Sequence, residues 1–431
     1  MSAQAKKKVI LIGAGLRGQT YTNLMAKEHG DTFEVVAVAE PLEGRRNYIK
    51  NKHGIPDELC FESWEPLLEK ERFADVAIIS TQDRYHFAPA MAAIEKGYNL
   101  LLEKPIAPTP EECDAIVKAA HAKGVFVLVC HVLRFTDFFI ALKQIIDSGE
   151  IGRVMNIHHT EGVGNVHQSH SFVRGNWAQT EKSAMMLLAK SCHDMDILAW
   201  LIGKKCKKVQ SFGSLSFFKE ENAPEGAPER CIDGCPHGDT CPYNSVNLYL
   251  KSNSRWFRCS STMLINPTDA DVEHALRTTD YGRCAFRCKN DVVDHQIVNM
   301  EFEDDVCVSF TMSAFNLGGR TIRIMGTKGE IQAKMGGNEI IVYNLETKKS
   351  RIHDPSAKVG DETIVSGHGG GDSGIIRALA DLFKGNKWDS VCDIAESSHN
   401  HMIAFAAESS RLAGGALVDL DEYVSSVEEK I

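Results

Sequence analysis

Along the first third of the chain, short apolar runs alternate with segments long enough to be helices. The runs are residues 8–12, 33–39, 76–80, 99–102 and 125–130. Each is continuously apolar, as suits a strand covered on both faces, and the spacing suits crossover helices. The pattern therefore predicts βαβ units and a doubly wound parallel sheet. Thr109-Pro110-Glu111-Glu112 combines a capping hydroxyl, a first-turn proline and acidic residues, so a helix is expected to start there and to end at Gly124. This first domain is expected to span residues 1–131.

Beyond about residue 150 the period changes to two. Val298, Met300 and Phe302 face Val306, Val308 and Phe310 across Asp304-Asp305, and residues 321–325 and 330–333 flank Thr327-Lys328-Gly329. Such alternation predicts antiparallel hairpins with one buried face, so residues 132–431 are expected to form a second, α+β domain. Residues 219–244, rich in Pro, Gly and Cys, read as a loop or insertion. Residues 374–383 and 392–412 look helical, the latter packing an apolar face on the sheet.

With 431 residues, 43% hydrophobic and 25% charged, the chain is an ordinary globular protein too long for one core. A formal net charge of −10 argues against nucleic acid or anionic membranes as partners. Lys6, Lys7 and Lys8 precede an apolar run that Gly13 interrupts at once, so neither a signal peptide nor a membrane span is expected, and the cytoplasm is the expected compartment. The 13 cysteines then read as thiols or metal ligands. Cys60, Cys113, Cys130, Cys307 and Cys392 stand singly, as small buried hydrophobes do. Cys231, Cys235 and Cys241, with Cys284 and Cys288 later, leave two readings open: a structural zinc held by Cys231, Cys235, Cys241 and Cys288, or unligated thiols.

Gly13-Ala14-Gly15-Leu16-Arg17-Gly18 follows the first predicted strand and opens a helix. In that place the glycines allow a tight turn, close backbone approach to a pyrophosphate and close helix–strand packing. Glu40 ends the second strand, where a carboxylate accepts from the adenosine ribose hydroxyls and repels a 2′-phosphate. NAD is thus favoured over NADP, with Arg45 and Arg46 pulling the other way. The segment reads as a dinucleotide-binding Rossmann domain. Glu103-Lys104-Pro105 ends a further strand, where open α/β sheets bind ligands and where a lysine can move a hydroxyl proton.

The glycine motif, Thr81 to His86, Glu103-Lys104-Pro105, Leu133-Arg134-Phe135, Ser148-Gly149-Glu150-Ile151-Gly152 and Cys192-His193-Asp194-Met195-Asp196 together resemble the glucose-fructose oxidoreductase / inositol dehydrogenase (Gfo/Idh/MocA) family. The resemblance covers essentially the whole chain. It implies a C-terminal domain with a large, open, mostly antiparallel sheet used for oligomer contacts, here a homodimer or homotetramer, and a substrate between the domains. It also implies that Lys104 is the site lysine and His193 the helix histidine. The family commonly has an aspartate four residues before that histidine; here the position is Ala189, and Lys190 is the candidate substitute. The cofactor set is then Gly13, Gly15, Leu16, Arg17, Gly18, Glu40, Thr81, His86, Glu103 and Lys104.

Residues 167–177 concentrate polar groups beside two aromatics, which suits a polyhydroxylated ring or, equally, an anchored loop. His167, His170, Arg174, Asn176 and Trp177, with Asp196 and His368, form the candidate substrate set. Asp372 reads as a helix N-cap. The expected reaction is NAD-dependent hydride transfer at a secondary hydroxyl or ketone of a sugar, cyclitol or glycoside, with C3 the target of a glycoside. The alternatives are a redox-neutral NAD-dependent glycosidase acting by transient oxidation and elimination, and a non-catalytic sensor of NAD and ligand.

Overall fold

The computed structural model describes residues 5–337, 339–355, 369–386 and 388–429. The first apolar runs form strands β1 (Lys7–Ile12), β2 (Phe33–Ala39), β4 (Val76–Ile79), β5 (Asn99–Leu102) and β6 (Val127–Val129), with a two-residue strand β3 (Cys60–Phe61) at the edge. All pair in parallel, in the order β3-β2-β1-β4-β5-β6. Both faces are covered: Val9, Ile10, Leu11, Val76, Ile78, Leu100 and Leu101 are all fully buried. β3 escapes a sequence reading because two half-buried residues carry no periodicity.

The helix at Pro110–Lys123 forms as its caps dictate. The Thr109 hydroxyl accepts from the Glu112 amide, and Gly124 closes it in the left-handed region at φ 64. Because β1 and β4 are neighbours, the strand order reverses beside β1, and the crevice of an open α/β sheet lies there, at the carboxyl ends.

The second sheet has nine strands: β7 (Val154–Gly162), β8 (Cys206–Ser214), β9 (His295–Phe302), β10 (Val306–Ser313), β11 (Gly319–Gly326), β12 (Gly329–Lys334), β13 (Ile340–Asn344), β14 (Lys349–His353) and β15 (Val418–Asp419). Their order is β14-β13-β12-β11-β7-β10-β9-β8-β15, and every pairing is antiparallel except β7 with β10. The expected facing pairs are in register: Val306 with Phe302, Val308 with Met300, Phe310 with Val298. Helices Asp137–Asp147, Met186–Ile202 and Ile394–Leu412 share the core of one face. Phe212, Ile297, Ile341 and Tyr343 remain exposed.

Two features depart from the expected layout. Helix Gly371–Phe383 returns to the first layer, where Ile375, Ile376 and Leu379 pack with Val9, Tyr21 and Val35. The irregular stretch between β8 and β9 also runs well past residue 244 and includes helices Arg255–Thr262 and Asp269–Thr278. Among the described residues no helix is long and apolar enough to cross a membrane.

Candidate functional site

The glycine turn fits a dinucleotide. Gly13 has φ +91, and a Cβ there would stand 2.6 Å from the Ser80 carbonyl oxygen; a Cβ on Gly18 would collide with the Gly13 carbonyl. Gly15 has open space instead: a Cβ there would meet only the Arg45 guanidinium, at 3.9 Å. Gly15 caps the 13-residue helix Leu16–Glu28 without any side-chain hydrogen bond, which leaves the first amides for an anion. Beside them the Glu40 carboxylate, 4% exposed, accepts from the Ala14 amide at 2.7 Å and the Leu42 amide at 3.0 Å.

Arg17 is used differently from a phosphate ligand. It donates to Glu103 at 2.7 Å and to both oxygens of Asp372 at 2.6 and 3.1 Å, and it also bonds Tyr21. Asp372, 1% exposed, is therefore the acidic partner of Arg17 and not the cap of its helix, which is Gly370. A cap needs only a surface carboxylate; this one ties the returning helix to the first sheet. Burial alone would raise the Glu103 carboxyl, but the charges of Arg17 and Lys104 hold it below the usual range.

Lys104 follows at the end of β5, in a cis peptide with Pro105. Its Nζ donates to the Ala189 carbonyl at 2.9 Å and stands 6.0 Å from the Trp177 ring. At Ala189, where the resemblance leads one to expect an aspartate, a backbone oxygen of helix Met186–Ile202 thus receives the lysine. His86 braces the corner from behind, with Nδ1 2.7 Å from the Pro105 carbonyl and Nε2 3.2 Å from that of Thr81. Trp177 donates to Asp83 at 2.9 Å, as does the Ser183 hydroxyl at 2.7 Å, so the two domains meet on this side of the crevice.

One turn of the same helix offers His193 and Lys190. His193 is buried, its ring 6.0 Å from that of His131. Lys190 pairs with Glu161 at 3.1 Å; burial lowers its amine below the usual lysine range, and Glu161 opposes that shift. Arg320 joins Glu161 at 2.9 Å and Asp194 at 2.7 Å, and His159 reaches Asp194 at 2.7 Å. Burial disfavours the Asp194 charge, yet Arg320 and His159 hold its carboxyl well below the usual range.

The candidate substrate residues divide. His167 lies near this cluster: burial first, then the charges of Lys190, His170, Lys104 and Arg320, push its imidazole well below the ordinary range. Trp177 is half-buried and Asn176 exposed. His170 is turned into the irregular stretch, 2.9 Å from the Tyr249 hydroxyl and ringed by Trp256, Phe257 and Tyr281, and burial pushes it down to about 3. Arg174 donates to the carbonyls of Arg283 and Tyr243 at 2.8 and 2.7 Å. Asp196, fully buried, receives Arg134 through two bonds of 2.7 Å and Asn400 at 3.0 Å. His368 lies outside the described residues.

The zinc expectation does not hold. Among the described residues no group of three or more His, Cys, Asp or Glu is placed to hold a metal ion. The Cys231 and Cys288 thiols point at backbone carbonyls, and Cys241, Cys284 and Cys288 pack with Phe218, Tyr243 and Phe286. Burial pushes the thiols of Cys241, Cys284 and Cys288 up, that of Cys288 to about 11. Of the single cysteines, Cys113 and Cys130 are buried as expected and Cys307 is exposed.

His131 and His401 belong to no motif in the sequence. His131 follows β6 at the carboxyl edge and is 1% exposed; its Nε2 is 3.8 Å from Asp196. His401, 5.3 Å from it ring to ring, accepts from the Ile106 amide at 3.1 Å. The position of His131 at a strand end was the available signal; His401, deep in a helix, gave none.

A doubly wound sheet with bare amides at its switch point, an acidic residue after β2 and a lysine after β5 defines an NAD-binding oxidoreductase of the Rossmann type. The chain belongs to the Gfo/Idh/MocA family: residues 7–131 match its "Oxidoreductase family, NAD-binding Rossmann fold" model, and residues 143–411 its "Oxidoreductase family, C-terminal alpha/beta domain" model. It is 26% identical over 206 residues to the inositol 2-dehydrogenase of Salmonella typhimurium, covering 48% of this chain and 57% of that protein. Its fold is similar to that of a levoglucosan dehydrogenase in complex with NADH and levoglucosan (TM-score 0.70, 17% identity, 96% of this chain and 100% of that one). It is also similar to an inositol dehydrogenase homologue from Azotobacter vinelandii in complex with NADH and myo-inositol (TM-score 0.66, 17% identity, 97% and 98%).

Proposed function

We propose that the protein moves a hydride between the nicotinamide of NAD and a secondary hydroxyl or ketone of a sugar, cyclitol or glycoside, at C3 where the substrate is a glycoside. The carrying observation is that Lys104 Nζ, at the carboxyl end of β5, is held against the helix that also bears Lys190 and His193. Bound NAD would supply the hydride acceptor; every other task falls to the chain. Gly13, Gly15 and the first amides of helix Leu16–Glu28 would hold the pyrophosphate, and Glu40 the ribose, in preference to a 2′-phosphate. Lys104 would orient the substrate oxygen and take or return its proton, with His193 as the next acceptor. His167 and Trp177 would flank the ring, and the apolar side chains exposed on the second sheet support a homodimer or homotetramer.

Absorbance at 340 nm against a panel of sugars, cyclitols and glycosides, with NAD and with NADP, tests this reading. Turnover with NAD and one of these classes is expected; no turnover with any of them would overturn it.

One observation favours a second reading. Lys190 has its proton loosened by burial one turn from His193, and such an amine suits removal of a C–H proton next to a transiently formed ketone. Release of phenol from nitrophenyl glycosides without NADH accumulation would identify that redox-neutral glycosidase, whereas stoichiometric NADH would identify the dehydrogenase. Turnover of either kind removes the sensor.

A further inference from the structure

The segment from His167 to Trp177 and the helix Arg255–Thr262 set aromatic rings in a row. Lys104 Nζ stands 6.0 Å from the Trp177 ring, Trp177 is 5.9 Å from Phe172, Phe172 is 5.8 Å from His167, and His167 is 5.1 Å from Trp256. At one end is the lysine proposed to act on the substrate oxygen. At the other is a tryptophan with 39% of its surface exposed. Between them His167 and Trp177 are half-buried, and Phe172 backs them from the core.

Trp256 is exposed but firmly held. His167 and His170 meet its ring at interplanar angles of 88° and 73°, and the Phe257 ring lies 4.8 Å away. His170 is fixed in turn by the Tyr249 hydroxyl at 2.9 Å. Ser254 caps the helix that carries Trp256, and Arg258 donates to the Pro267 carbonyl and to Asp269, tying it to helix Asp269–Thr278. A large ring fixed in place with an open surface gives a ligand contact area at little cost in ordering.

Polar groups are spread unevenly along the row. Lys104 marks the inner end. Next to it in chemistry is His167, whose imidazole burial and the nearby cations keep uncharged at neutral pH, so that it can both donate to and accept from a hydroxyl. Past His167 the character changes: His170 Nδ1 is taken by Tyr249, Phe257 has no polar side-chain atom, and Met263 and Leu264, further along the hairpin, add exposed apolar surface. The inner end suits a ring that carries hydroxyls, and the outer end a flat apolar group.

We infer that the crevice takes a glycoside in preference to a free sugar or cyclitol, and that Trp256 stacks on its aglycone, a flat apolar ring of the aryl class. This assignment rests on the hydride-transfer reading above and narrows its substrate. The sugar lies among Lys104, Trp177 and His167; with C3 at Lys104, C1 is two ring atoms away and its substituent points outward along the row. The aglycone then gains by taking apolar surface, its own and that of Trp256, out of water. Trp256 is a specificity residue that touches only the part of the substrate that does not react.

The test compares a phenyl glycoside, the methyl glycoside of the same sugar and a disaccharide containing it, in the wild type, Trp256→Ala and Trp256→Phe. In the wild type kcat/KM for the phenyl glycoside is expected to exceed that for the methyl glycoside by about tenfold, chiefly through KM. Trp256→Ala is expected to bring that ratio close to one, and Trp256→Phe to restore part of it. Equal values for the two glycosides in the wild type, a preference for the disaccharide, or a ratio that survives Trp256→Ala would each overturn the aglycone site and leave hydride transfer standing. Saturation-transfer NMR with the phenyl glycoside reads the same site without turnover: transfer strongest at the aryl protons is expected in the wild type, and its loss in Trp256→Ala. Aryl transfer unchanged by Trp256→Ala would overturn the assignment, whereas loss of aryl transfer in a protein that turns over none of the substrates would overturn the hydride-transfer reading and uphold the ring's contact with Trp256.

Discussion

The glycine turn after β1 and the segment from His167 to Trp177 both lie along the crevice, yet they offer opposite things. The turn offers backbone: Gly13 and Gly18 are packed too tightly for any side chain, and Gly15 leaves its amides bare. The other segment offers side chains, but His170 and Arg174 point into the irregular stretch and bond its hydroxyl and carbonyls, leaving His167 near Lys190 and Trp177 beside Lys104. A polar cluster in a sequence is thus an ambiguous sign, because the same donors that recognise a ligand also anchor a loop. A glycine turn between a strand and a helix has fewer alternative uses.

Variants can break this contrast. Lys104→Met should lower turnover by about 10²–10⁴, the range of a lost proton-transfer group, while NAD affinity, measured by calorimetry, stays within about threefold of wild type. Near wild-type turnover would remove Lys104 from the chemistry.

Next in size is Arg134→Leu, which leaves Asp196 buried without its cation. Breaking such a pair costs about 3–5 kcal/mol, so the urea midpoint should fall sharply with little change in NAD affinity. A variant as stable as wild type but unable to bind substrate would instead give Asp196 a direct role in the crevice.

A smaller effect comes from His170, whose folded pKa of about 3 lies below its ordinary 6.5. Between those values the unfolded chain binds a proton that the folded one refuses. Stability is therefore fully retained above about pH 6.5 and lost as pH falls toward 3. The pH-dependent slope of the unfolding free energy should be shallower in His170→Phe, by up to about 1.4 kcal/mol per pH unit. An unchanged slope would show that the ring is solvated.

The smallest expected change is that of Glu40→Ala, about a tenfold loosening of the preference for NAD over NADP. An unchanged ratio would mean that another group reads the ribose.

Much of this architecture was legible in the residues themselves. The five long strands of the first sheet follow from continuous apolar runs, the β9–β10 register from strict alternation, and the helix at Pro110–Lys123 from its caps. What escaped depends on residues far apart in the chain. Asp372 looks like a cap until Arg17, 355 positions away, is brought to it. The cysteine spacing suggests zinc until the thiols are found packed among Phe218, Tyr243 and Phe286. Ala189 looks like a lost carboxylate until its own carbonyl is seen to hold Lys104.

The central claim is that the turn at Gly13–Gly18 binds a nicotinamide dinucleotide with its reactive end beside Lys104. Calorimetric titration of the purified protein with NAD, in parallel with Gly13→Ala, tests it most directly. One NAD per chain in the wild type, weakened at least about 100-fold in the variant by the clash with Ser80, is the predicted result. No binding to the wild type, or equal binding to both, would contradict it.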